Sequence, residues 1–217
     1  MGRHRGDAEA RLIRAARGLL PRTGVSGLKV RQVAARAGVP PGAFHYYFHS
    51  RHEFCQRVLS ASYEGQLTEF DAAVGSDTAG SPVQRLRHML RAMARFARQD
   101  RKIALALLRD ILNGDPDAIA FIRSHMPRHT RKAVALVVEC QRAGLIRRMP
   151  LPAVMSLLGA MVMSAPMEVA MIERLGVGHP LGPVARGVLL SDRQIDDRVD
   201  LVIHALAPHH ARKEARA

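Results

Sequence analysis

Between Val30 and Ser50 the chain reads VRQVAARAGVPPGAFHYYFHS, and no other stretch narrows the possible folds as far. Val30, Val33, Ala34 and Ala37 recur at i, i+3, i+4 and i+7, which is one apolar stripe of a helix, while Arg31, Gln32, Ala35 and Arg36 point elsewhere. Gly38 follows where a helix C-cap favours positive φ, and Val39 plugs the corner behind it. Pro41 suits the first turn of a new helix, because its φ is preset and its missing N–H would have had no partner there. Phe44 and Phe48 form the inward face of that helix. Ala34, Gly38 and Phe44 have the small, turn and apolar spacing that lets two short helices cross closely, a helix-turn-helix that offers its second helix to a groove of DNA.

The run GVPPGAFHYYFHSRHEF resembles the signature of the tetracycline-repressor (TetR-like) transcriptional regulators, close to GVSxGxxYxHFxSKxxL, and the resemblance covers about residues 10 to 57. Three positions depart from it. Pro40 stands where the family prefers a Ser or Thr N-cap, so the recognition helix lacks a capping side chain worth roughly 1 kcal/mol. His45 replaces the family's usual phosphate-contacting Tyr, and Lys29 stands where Thr is common. The resemblance implies that Lys29, Tyr46, Tyr47 and Arg51 hold phosphates. Pro41, Gly42 and Ala43 open the recognition helix; the small side chains of Gly42 and Ala43 permit close approach to thymine methyls, so hydrogen-bond readout must come from His45, Arg31 or Gln32.

Charge agrees with a polyanionic partner. The 217 residues carry 33 Lys+Arg against 19 Asp+Glu, a net charge of +14, and the first 57 hold eleven basic and three acidic residues. Cys55 and Cys140 are too few for a disulfide framework, which fits a reducing cytoplasm. MGRHRGDAEARL has charge without an apolar core behind it, so no secretory leader is expected. Leu151 to Ile172 has the length of a membrane span, yet Pro166, Glu168 and many small residues argue against one. A helix apolar all round also suits a buried dimer interface.

Residues 1–7 read as a mobile basic arm and Ala8 to Leu20 as the first helix, closed by Pro21 and Gly24. Ser50-Arg51-His52-Glu53 is a capping box that starts a long fourth helix, to about Val74. GSDTAGSP is a loop; a fifth helix carries Val83, Leu86, Met89, Leu90, Met93, Phe96 and Ala97, and a sixth spans Lys102 to Leu112. NGDPD is a turn, and the seventh helix runs from Asp117 to Ala143 with a possible break at Met126-Pro127. The eighth, Ala153 to Leu175, should kink at Pro166; GVGHPLGPVARG reads as a loop; Ser191 caps the ninth, Asp192 to Leu206; and the tail PHHARKEARA is expected to be disordered.

His45, His49, His52 and Cys55 approach metal-ligand spacing, but a chain reversal at His49–Ser50 should scatter them, so no metal and no cofactor are expected. Glu168 could meet a polar ligand group or an arginine. The methionines at 89, 93, 155, 161, 163, 167 and 171 could line an adaptable pocket or simply pack a core. No nucleophile elbow, phosphate loop or paired catalytic carboxylate occurs, so no enzymatic activity is expected.

The expected architecture is all-α, with a three-helix helix-turn-helix DNA-binding head at 1–57 and a C-terminal helical-bundle domain for ligand binding and dimerisation at 58–217. As in the family resembled, the eighth and ninth helices should form a homodimer, with Val199, Val202, Ile203 and Leu206 of the ninth facing the partner. Met89, Met93, Phe96, Leu108, Phe121 and Met161 are candidate walls for a small lipophilic effector, since only 4% aromatic residues leave little to stack on flat cations. The expected function is a cytoplasmic repressor of an inverted-repeat double-stranded DNA site, released by that effector. A ligand-independent DNA-binding protein, or an all-α enzyme or carrier with an incidental basic head, is the alternative.

Overall fold

The computed structural model of the protein describes residues 2–75, 80–176 and 182–208. Its helices are α1 (Gly2–Thr23), α2 (Val30–Ala37), α3 (Phe44–Tyr47), α4 (Arg51–Gly75), α5 (Pro82–Gln99), α6 (Arg101–Leu112), α7 (Pro116–Arg142), α8 (Leu151–Leu175), α9 (Gly182–Leu189) and α10 (Asp192–Leu206). No strand occurs among the described residues. The chain forms two compact units, one of residues 1–68 with 102–126 and one of 69–101 with 127–217.

The first unit is built on the helix-turn-helix. Val33, Ala34 and Ala37 are buried on α2, as their spacing dictates. Gly38 takes φ 63° and ψ 38°, and the Val39 N–H returns to the Ala34 carbonyl at 3.0 Å, which closes α2 and turns the chain. Pro41–Ala43 is a single tight 3₁₀ turn leading into the four residues of α3. Phe44, Phe48 and Phe54 then pack into one cluster, tilted and edge-to-face, with ring centroids 4.9–5.2 Å apart, all three fully buried. This core continues beyond the head, because Leu107 of α6 and Ala118 and Phe121 of α7 share it with Leu12, Phe54 and Cys55.

The second unit joins Leu86, Met89 and Leu90 of α5, Leu136, Val137 and Cys140 of α7, Val154, Leu158, Met161 and Val162 of α8, and Val199, Val202, Ile203 and Leu206 of α10. An antiparallel ladder of ion pairs ties α5 to α10. Arg87 meets Asp200 at 2.9 Å, Arg91 meets Asp196 at 2.9 Å, Arg95 meets Asp192 at 3.1 Å, and Arg98 also reaches Asp192, at 3.2 Å. The four-residue steps on each helix make this register possible.

Several expectations change. The first helix starts at Gly2 rather than Ala8, so residues 2–7 are helical, and it runs through Pro21 to Thr23. α7 is continuous across Pro127, without the expected break. Part of the expected glycine-rich loop is α9, seated on α8 with Ala185 buried; Pro183 in its first turn is where a helix tolerates proline. The stripe Val199, Val202, Ile203 and Leu206 is occupied by the unit's own core, so it cannot be the face α10 offers a partner. The expected loop at 76–79 and tail at 209–217 lie outside the described residues.

Candidate nucleic-acid interface

Most of the sequence-selected residues of the helix-turn-helix are exposed. Lys29 is the N-cap of α2 and has no capping side chain, so its ammonium is free of the helix end it introduces. Arg31 and Gln32 in the first turn of α2 are exposed, as are Pro41, Gly42 and His45, while Ala43 and Tyr47 are half-buried against the aromatic core. Tyr46 is 62% exposed and its ring meets Tyr47 edge-on at 5.3 Å. A Cβ on Gly42 would meet nothing, so this tip is open to a close-approaching surface. Together these residues offer cations, amide and imidazole donors and small apolar contacts, the mixture that holds phosphates and reads base edges.

Arg51 sits differently. Its guanidinium pairs with Asp117 at the start of α7 and donates to the Val25 carbonyl at 2.8 Å, with the Ser26 carbonyl at 3.4 Å. The nearest histidines are also engaged. His52 Nδ1 lies 2.6 Å from Asp117 Oδ1, and His49 shares Glu53 through its ring and its backbone N–H. That backbone hydrogen bond from His49 is the main reason the Glu53 carboxyl sits below the usual carboxylate range. Ser50 caps α4 as expected, accepting from the Glu53 N–H at 3.0 Å, but the Glu53 side chain reaches back to His49 rather than to Ser50.

Sequence reasoning missed two carboxylates behind this face. Asp110, with no exposed surface, accepts the Val25 N–H at 2.6 Å and the Ser26 hydroxyl at 3.1 Å, with Arg109 at 3.2 Å. Asp117, almost as deeply buried, accepts from Arg51, and the Gln56 side chain donates to its backbone carbonyl at 2.9 Å. Both lie in RDILNGDPD, whose glycine and proline read only as a turn. Gly24 was visible as a helix stop but not as a contact: its φ is +69°, and a Cβ there would overlap Arg109 and Asp110.

The candidate metal residues do not converge. Burial pushes the Cys55 thiol up to about 12, and among the described residues no group of three or more His, Cys, Asp or Glu could hold a metal. Of the candidate effector walls, Met89 and Met161 belong to the core of the second unit with Met93 beside it, and Phe96 lies half-buried on α5. Leu108 and Phe121 belong to the first unit. Glu168 opposes, by its charge, the downward shift that burial imposes on Arg198 of α10, so an arginine is its electrostatic neighbour. α8 is long and apolar enough to cross a membrane by length and composition, yet Val154, Leu158, Val162, Val169 and Ile172 are buried in the protein. Leu157, Met167, Met171 and Leu175 of α8, Val184 and Val188 of α9 and Leu201 of α10 remain exposed.

Residues 12–58 match the family of bacterial regulatory proteins, tetR family. No curated protein matches the chain. Among solved structures, the transcriptional regulator FadR from Bacillus subtilis, in complex with stearoyl-CoA, aligns with a TM-score of 0.64 at 11% identity over 89% of this chain and 97% of its own. A protein from Saccharomonospora viridis assigned as a transcriptional regulator, in complex with choline, aligns at 0.67 and 15% identity over 92% and 96%. A transcriptional regulator from Rhodococcus sp. Rha1 aligns at 0.63 and 18% identity over 91% and 95%. At these identities the solved structures speak for the fold alone, and the family rests on the head. With an all-helical fold shared over about nine-tenths of its length with solved transcriptional regulators, the chain carries at residues 12–58 the helix-turn-helix head of the tetR family of bacterial regulatory proteins.

Proposed function

We propose that the protein is a homodimeric repressor that binds an inverted-repeat DNA site through residues 1–57 and is released by a small lipophilic effector held in residues 58–217. The observation that carries the DNA half is the exposed set Lys29, Arg31, Gln32, Gly42, His45 and Tyr46 on a helix-turn-helix whose inward face is fully committed to the Phe44–Phe48–Phe54 core. Lys29, Tyr46 and Tyr47 hold phosphates; His45, Arg31 and Gln32 read bases; Pro41, Gly42 and Ala43 set the approach. The exposed apolar residues of α8, α9 and α10 support dimerisation through α8 and α10, with α9 at the rim. An inverted repeat follows from two heads related by a two-fold axis. The aliphatic, methionine-containing second unit, with Met89, Met93, Phe96 and Met161, supports an apolar effector, and solved proteins of the same fold hold stearoyl-CoA and choline. The working compartment of such a protein is the cytoplasm.

The test is a titration of a duplex enriched from a random pool, followed by salt and then by lipophilic compounds that raise the melting temperature. Affinity should fall steeply between roughly 50 and 200 mM salt as counterions are released. At least one stabilising compound should detach the duplex. A compound that binds tightly and leaves DNA affinity unchanged would refute the release step.

A further inference from the structure

We infer that Asp110 and Asp117, at the α6–α7 corner, are positioning residues for DNA binding: they hold the head by the two segments that flank its DNA-facing residues. The inference rests on the DNA-binding reading above and adds a residue-level anchor to it. Asp110 grips Val25 and Ser26, and Lys29 and Arg31 follow within five residues. Asp117 grips Arg51 and His52, directly after α3 and the exposed His49. Arg51 joins the two grips, because the guanidinium that pairs with Asp117 also donates to the Val25 carbonyl. Val25 is therefore held through its N–H by one carboxylate and through its carbonyl by the cation that pairs with the other.

A network with this much buried charge is either complete or strongly unfavourable, since each unpaired carboxylate would keep its desolvation penalty. It therefore specifies one geometry, where apolar packing alone would tolerate several. The apolar part of the same boundary, Leu107, Ala118 and Phe121 against Phe54 and Cys55, glues α6 and α7 to the head but carries no direction. The hydrogen bonds at Val25, Ser26 and Arg51 supply the direction. In consequence the α6–α7 corner and the head form one piece, and anything that moves α6 or α7 moves Lys29 and α3 with it.

The experiment uses the full chain, a duplex enriched by the unmodified protein, and an unrelated duplex of the same length. Asp117→Asn and Asp110→Asn weaken the buried pairs; Ser26→Ala and His52→Gln act at the half-exposed ends of the network and keep the test open if a carboxylate variant does not fold. With helicity and melting checked first, the inference expects folded variants to lose about tenfold or more in affinity for the enriched duplex while low-salt binding to the unrelated one falls less than about twofold. Arg51→Gln combined with Asp117→Asn should lose little more than either alone, because both break one linkage. Parallel losses on both duplexes, additive losses in the double variant, or unchanged affinity in every folded variant would overturn it. If the unmodified protein enriches no sequence, the DNA-binding reading itself has failed and the inference falls with it.

Discussion

Two glycines separate backbone demand from contact demand. Gly24 and Gly38 both have positive φ, +69° and +63°, but a Cβ on Gly38 meets nothing, whereas one on Gly24 overlaps Arg109 and Asp110. Gly38→Ala should therefore cost about 1 kcal/mol, the left-handed penalty alone. Gly24→Ala should cost about 2 kcal/mol more, because it also displaces a buried carboxylate from its donors. Urea unfolding of the two variants checks this; equal midpoints would mean that Asp110 is not held as tightly as its hydrogen bonds imply. On the DNA face, His45→Ala should change which bases are preferred, while Lys29→Ala should weaken all duplexes alike and lower the salt slope by about one charge. Competition among single-base variants of an enriched duplex distinguishes the two. Uniform loss for both variants would remove His45 from base readout.

Within single helices the sequence was informative wherever a cause is local. The stop at Gly38, the Ser50 and Ser191 caps and the inward Phe44 and Phe48 each depend on residues within one or two turns, and the structure has all of them. The grip of Asp110 on Val25 spans 85 residues and left no local trace. Periodicity likewise gave the α10 stripe but not the neighbour that covers it, and α9 was hidden by glycines that outweighed its short apolar pattern. The α5–α10 ladder shows how such long-range pairing can be measured. Arg91, partly buried and facing Asp196 and Asp200, should lose about 1 kcal/mol on replacement by Ala, and the loss should shrink in high salt. Hydrogen bonds from Arg98 and Arg95 hold the Asp192 carboxyl below its usual range, so the unfolded chain binds its proton more readily. The contribution of Asp192 is thus present above the ordinary carboxylate pKa and is lost as pH falls through the lower folded value. Thermal melts at neutral pH and near pH ~3 should differ less in Asp192→Asn than in the unmodified protein. An equal difference would mean that Asp192 is not an acid-sensitive rung.

For the whole molecule, the proposed function links assembly to DNA recognition, since an inverted repeat would be read only by two heads. Val202 lies in the core of its own unit, so the interface is better tested at exposed positions. Leu157→Arg with Leu201→Arg should give monomers with unchanged helicity; a double variant that still sediments as a dimer would move the interface elsewhere. The paired face should bury upward of roughly 1,200 Å² if the dimer is stable. The central claim, that this chain is a sequence-reading dimer, is met most directly by sequencing duplexes that the purified protein enriches from a random pool over several rounds. The account predicts two copies of one short motif in inverted orientation, with centres about one helical turn apart or a multiple of it. A pool that stays random, or converges on a single unpaired motif, would contradict it.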